Sequence, residues 1–244
     1  MAKKKTNKKK KDLRAYPPRV ENELLKDAEN AIDSWRIFKI MSELVQGFEM
    51  IRKYDKAATF FGSSRCGLED DMYKEARELS WRLAKRDFTI ITGGGSGVME
   101  AANRGAFQAG GKSVGLNIEL PRPQGMNGSV NESVEFHYFF IRKVMLTFAS
   151  EVYIYFPGGF GTLDEFFELT TLVQTGKINR VPIILYGKEF WSPLTEWFEN
   201  SLVEKHKTIS KDDLDIFTLV DSVDEAFDAI IRLTDAYCES FGGC

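Results

Sequence analysis

The chain has 244 residues, 43% of them hydrophobic and 13% aromatic, enough apolar material for a core and one large domain with an extension, so wholesale disorder is excluded. Its formal charge of −3 hides a split: residues 1–14 carry seven Lys, one Arg and one Asp, a sum of +7, and the remaining 230 sum to −10. A net acidic body makes nucleic acid an unexpected partner, and no apolar run reaches the roughly 18 residues that would span a bilayer.

In chain order, residues 1–20 read as a disordered lysine-rich tail, because blocks of like charge repel and stay extended. From 21 to 54, apolar residues at helical spacing, among them Leu25, Ala28, Ile32, Trp35, Met41, Leu44, Phe48 and Ile51, predict an N-terminal helical extension. A rhythm of short β-rich runs then begins, at 58–61, 88–92, 113–118, 134–138, 152–156 and 181–186. Helix-like stretches at 70–85, 98–109, 142–150, 163–175 and 190–205 alternate with them, and a last helix covers 223–237. This alternation predicts an α/β fold over 55–240: a Rossmann-like, doubly wound, mainly parallel sheet with helices on both faces. Cys66, Cys238 and Cys244 form no zinc pattern, and His137 and His206 are the only histidines, so no metal is expected. The cysteine usage fits a reducing cytoplasm.

Doubly wound sheets bind ligands where strands end and helices begin. Two such turns are glycine-rich, Gly93-Gly94-Gly95-Ser96-Gly97 and Pro157-Gly158-Gly159-Phe160-Gly161-Thr162. Bare backbone and a helix N-terminus together suit a phosphate. Neither turn is a Walker loop, and Val98 stands where a dinucleotide fingerprint needs its third glycine. An ATPase or a dehydrogenase is therefore disfavoured.

Thr162 and Glu165 have the spacing of a capping box, which is one reading of Glu165; the other is a carboxylate aimed at the ligand from the first turn after a phosphate loop. Glu168 shares its helical face, with Asp164 turned aside. At another strand end, Arg142 opens a helix and is followed by Lys143. Cations there oppose the helix dipole, so either the pair is an ordinary surface feature or an anionic ligand offsets the cost.

Pro157-Gly158-Gly159-Phe160-Gly161-Thr162-Leu163-Asp164-Glu165 matches the PGGxGTxxE signature of the Lonely Guy (LOG) family of nucleotide phosphoribohydrolases, and the chain resembles that family over roughly 55–235. Phe140-Ile141-Arg142-Lys143-Val144-Met145 is similar to its Arg-Lys signature, and Thr92–Met99 to its first glycine loop. The helices and tail before 55 resemble the longer bacterial forms. The resemblance implies hydrolysis of a nucleoside 5′-monophosphate to free base and ribose 5-phosphate, without a cofactor, by a homodimer. It implies Arg142 and Glu165 as the catalytic pair. It further implies Ser63, Gly94, Gly95, Gly97, Lys143, Gly158, Gly159, Gly161 and Thr162 as nucleotide- and phosphate-binding. Ile141 and Glu100 differ from plant members at positions that could shape the base pocket, which leaves the base open among a prenylated adenine, adenine and another purine or pyrimidine. A lysine decarboxylase is not supported, since no lysine stands out as a Schiff-base residue. The rival readings are a molybdenum-cofactor carrier that binds without turnover and a single-strand DNA-binding protein, which the acidic body disfavours.

Overall fold

The structure is a computed structural model that describes residues 33–119 and 127–241. The tail predicted for 1–20, and the extension as far as 32, lie outside the described residues. The chain divides into two units, Met1–Met41 and Ser42–Cys244. In the first, the described residues are helical, with Trp35 and Phe38 in edge-to-face contact at 6.3 Å. Helix α1 (Asp33–Ile51) carries the chain from there into the second unit.

The second unit is built on a seven-stranded sheet. Its strands are β1 (Ala57–Phe61), β2 (Thr89–Thr92), β3 (Ser113–Ile118), β4 (Glu132–Phe136), β5 (Val152–Tyr155), β6 (Ile183–Tyr186) and β7 (Thr218–Val220). Every pairing is parallel, in the order β4-β3-β2-β1-β5-β6-β7. Four central strands are buried along their whole length, which is why they read as near-continuous apolar runs, broken only by buried threonines, rather than alternating ones.

Helices α2 (Asp71–Ala84), α3 (Val98–Gln108), α4 (Phe139–Thr147), α5 (Phe160–Gln174) and α6 (Lys188–Trp197) lie on crossovers between strands, and α7 (Val223–Phe241) follows the last strand. On one face, Phe60, Ile90, Ile154 and Ile184 pack with Leu79 and Leu83 of α2, Ala101 and Ala102 of α3, and Ile230 of α7. The opposite face is aromatic. Tyr155 meets Phe166 of α5 at 5.6 Å, and Phe166 meets Trp191 of α6 at 5.4 Å. The buried Trp191 indole donates to the Tyr155 carbonyl at 3.1 Å, so its one polar atom is satisfied. This places Trp191 and Phe198 in the core, whereas Trp197 is half exposed.

Three local expectations shift. β4 begins two residues before the predicted run, and α4 begins at Phe139, three residues before Arg142. The predicted helix over 190–205 is α6 followed by a π-helical stretch, Phe198–Lys205. β7 has no predicted counterpart.

Strand order reverses between β1 and β5. The crevice beyond their carboxyl ends is where such a sheet accepts a ligand.

Candidate active site

A cleft of about 730 Å³ opens at that reversal. The turn after β1 brings Gly62, Ser63, Ser64 and Arg65, and the turn after β2 brings Gly93, Gly94 and Gly95. From α4 come Phe139, Arg142 and Leu146, and from the turn after β5 and the first turns of α5 come Gly159, Phe160, Gly161, Thr162 and Glu165. The ends of β3 and β4 add Asn117 and Glu135.

The turns are tied to one another by backbone bonds. Ser63 donates its amide to the Pro157 carbonyl at 2.9 Å, and Val98 donates to the Ser63 carbonyl at 2.9 Å. Gly97 immediately precedes α3 at φ +69°, where a Cβ would stand 2.2 Å from the Ser63 carbonyl oxygen; only glycine fits. Gly158 is glycine for close approach, since its Cβ would meet Thr162 Oγ1 at 2.1 Å.

Under the first glycine loop lies a buried polar network. Gly94 donates its amide to Thr92 Oγ1 at 2.9 Å, and Thr92 Oγ1 donates to Asn103 Oδ1 at 2.6 Å. Asn127 Nδ2 donates to Asn103 Oδ1 and to the Gly95 carbonyl, each at 3.0 Å. Asn103 Nδ2 donates to Ser113 Oγ at 2.8 Å. A network this fully satisfied holds the loop in one shape.

Arg142, the fourth residue of α4, donates its Nε to the Leu116 carbonyl at 2.8 Å. Burial draws its guanidinium below the ordinary arginine value and the Glu165 carboxylate works against that shift, leaving the group charged. Glu165 is 8% exposed and its carboxylate makes no hydrogen bond or ion pair among the described residues. Burial raises its pKa from 4.5 to about 8, against the pull of Arg142 and with help from Glu168. The two groups thus feel each other across the cleft without a direct ion pair.

α5 starts at Phe160 with Gly159 before it and has no side-chain cap, so Thr162 and Glu165 form no capping box. The carboxylate is left facing the cleft instead. A capping box occurs elsewhere, at Ser210 and Asp213.

Of the residues singled out in the sequence, the cleft gathers Ser63, Gly94, Gly95, Arg142, Gly159, Gly161, Thr162 and Glu165. Gly97 and Gly158 stand behind it, shaping the turns. Lys143 does not line it: its ammonium pairs with Asp164 at 2.8 Å and Glu168 at 3.2 Å, joining α4 to α5. Ile141 is fully buried, and neither it nor Glu100 lines the cleft. Arg65 belongs to the strand-end turn Gly62–Arg65, which the sequence offers as a candidate, whereas Asn117, Glu135 and Phe139 went unread. Applying the strand-end rule to the third strand would have found Asn117, while Glu135 lies within β4 itself, ahead of the turn that the rule reads.

A family model described as possible lysine decarboxylase matches residues 99–230. The cytokinin riboside 5′-monophosphate phosphoribohydrolase of Rhodococcoides fascians is 27% identical over 156 residues, covering 63% of this chain and 79% of its own. The enzyme LOG1 of Arabidopsis thaliana, of the same name, is 29% identical over 159 residues, covering 64% and 74%. Among solved structures, the molybdenum cofactor carrier protein of Chlamydomonas reinhardtii superposes with a TM-score of 0.54 at 21% identity, over 74% of this chain and 98% of that one. The molybdenum cofactor binding protein of Rippkaea orientalis gives 0.53 at 22%, over 74% and 94%. At such identity these likenesses speak to the fold alone. The sequence match takes in more than half of the chain, with Arg142, Glu165 and the second glycine loop inside it, and the chain belongs to the LOG family.

Proposed function

We propose that the protein hydrolyses the N-glycosidic bond of a nucleoside 5′-monophosphate, with adenosine 5′-monophosphate or a cytokinin riboside 5′-monophosphate as substrate, releasing free base and ribose 5-phosphate. The observation that carries this reading is one cleft holding a buried, unpaired carboxylate, a buried guanidinium and two glycine-rich helix N-termini. The names of the LOG-family relatives, at 24–30% identity, agree with it.

The phosphate is assigned to the N-terminus of α5, where a Cβ at Gly159 or Gly161 would meet no protein atom within 4 Å. Binding energy gained at that remote end aligns the sugar. Cleavage builds positive charge on the ribose, which the Glu165 carboxylate stabilises while it orients the attacking water. A raised proton affinity makes that carboxylate the stronger base. Arg142 holds the nucleotide and offsets charge on the departing base. The homodimeric state and the cytoplasmic setting belong to the same reading.

Lysine decarboxylation would need a Schiff-base lysine for a pyridoxal cofactor. No lysine lines the cleft among the described residues, and the near one, Lys143, is held by two carboxylates. The residues do not fit that group.

The test is incubation of the pure protein with a panel of nucleoside 5′-monophosphates and the matching nucleosides. Base and ribose 5-phosphate should appear in equal amounts from a monophosphate, and nucleosides should be inert. Nucleotides bound but recovered intact would make the protein a carrier instead.

A further inference from the structure

We propose that Glu43, on α1 and outside the cleft, is a positioning residue that sets Arg142 through the start of α4. This rests on the role assigned to Arg142 above. Helix α4 cannot cap itself: Tyr138 at its N-cap makes no side-chain cap bond, its first turn holds no acid, and Arg142 and Lys143 place two cations near its positive end. The missing negative charge arrives from 94 residues upstream. The Glu43 carboxylate, 8% exposed, accepts the backbone amides of His137 and Tyr138, each at 3.2 Å from the same oxygen. Two adjacent backbone amides thus converge on one carboxylate oxygen of a buried side chain.

The same stretch of α1 is clamped on the β4–α4 junction. Gly47 stands one turn along from Glu43, and a Cβ there would lie 2.4 Å from Met145 Sδ and 3.1 Å from Phe136 Cε1. On α4 the cleft is lined by Phe139, Arg142 and Leu146, so a tilt of that short helix moves all three together. Misplacement of a reacting group by about 1 Å is worth roughly a hundredfold in rate.

The experiment uses the full chain and the best-cleaved nucleotide. Glu43→Ala should lower kcat at least tenfold, with a smaller rise in KM. Glu43→Gln, which keeps a carbonyl acceptor, should stay within about threefold in kcat. In an Arg142→Lys background, Glu43→Ala should cost almost nothing more, because the group it positions is already gone. A merely structural cap would lower the melting temperature and leave kcat per folded molecule unchanged, and that result overturns the proposal, as does a full additional loss in the Arg142→Lys background. Where Glu43→Ala does not fold, Glu43→Asp, which withdraws the oxygen by one methylene, is held to the same criteria. A wild type that cleaves nothing would sink the hydrolase reading alone. The positioning role is then judged by the NMR signal of Arg142 Nε–H, identified by its loss in Arg142→Lys: it should shift and exchange faster in Glu43→Ala, and an unchanged signal would refute the proposal.

Discussion

A buried carboxyl group that resists ionisation makes folding stability depend on pH in a defined direction. Glu165 goes from 4.5 in an exposed setting to about 8 in the fold. Between those values the unfolded chain is ionised and the folded one is not, so stability falls as pH rises through the window. Below it the group costs nothing; above about 8 the penalty is complete, with an upper bound of about 5 kcal/mol. Glu165→Gln should therefore melt above wild type at pH 8, with the gap narrowing towards pH 5; a variant that melts lower at every pH would mean the carboxylate has a partner the fold requires. In the proposed reaction the ionised form acts, so kcat/KM for wild type should climb with pH and level off above about 8, and the Gln variant should be slower by at least a hundredfold. Arg142 makes a paired prediction. A Cβ at Gly93 would fall 2.0 Å from Arg142 Nη2, so Gly93→Ala should displace the guanidinium and lose activity much as Arg142→Lys does, about a hundredfold in kcat/KM.

The glycine loops behave as elements, not as strings of interchangeable residues. Gly158→Ala forces a Cβ against Thr162 and should cost stability, about 2 kcal/mol, whereas Gly161→Ala meets nothing and should leave the melting temperature in place while raising KM. Thermal melts with steady-state kinetics separate the two. Beneath the first loop, Asn103→Ala would remove the acceptor that Thr92 Oγ1 and Asn127 Nδ2 share and the donor to Ser113 Oγ, and is expected to destabilise by about 3 kcal/mol, read by denaturant unfolding. How such elements showed in the sequence depended on the signal each one carried. Gly94, Gly95, Gly159 and Gly161 were legible because glycine at a strand end has few other uses. The start of α4 was not, because Phe139-Phe140-Ile141 has no capping residue and its cap comes from Glu43, far away in the chain. The Thr162–Glu165 spacing misled for the opposite reason: a good local capping pattern was overridden when the helix began one turn earlier, at Phe160. The Asn103 network was silent, since its members become neighbours only on folding.

At the scale of the molecule, strand order alone places the candidate site. The reversal between β1 and β5 opens the cleft, and the sequence rhythm of buried strands and helices was sufficient to foresee the parallel sheet. Strand β7 escaped because Thr218–Val220 is three residues long, too short for a period to show. The aromatic face built on Phe166 is the common support of α5, α6 and the β5 end; Phe166→Ala should cost about 4 kcal/mol in unfolding experiments. The central claim is that this cleft breaks a glycosidic bond with Glu165. Its most direct test is the release of adenine and ribose 5-phosphate from 5′-AMP and from a prenylated adenosine 5′-monophosphate, measured side by side for wild type and Glu165→Gln at pH 8. The account predicts equimolar products from at least one of the two with wild type and at least a hundredfold slower release with the Gln variant. Intact nucleotide recovered from a wild type that binds it, or equal rates for the two proteins, would contradict it.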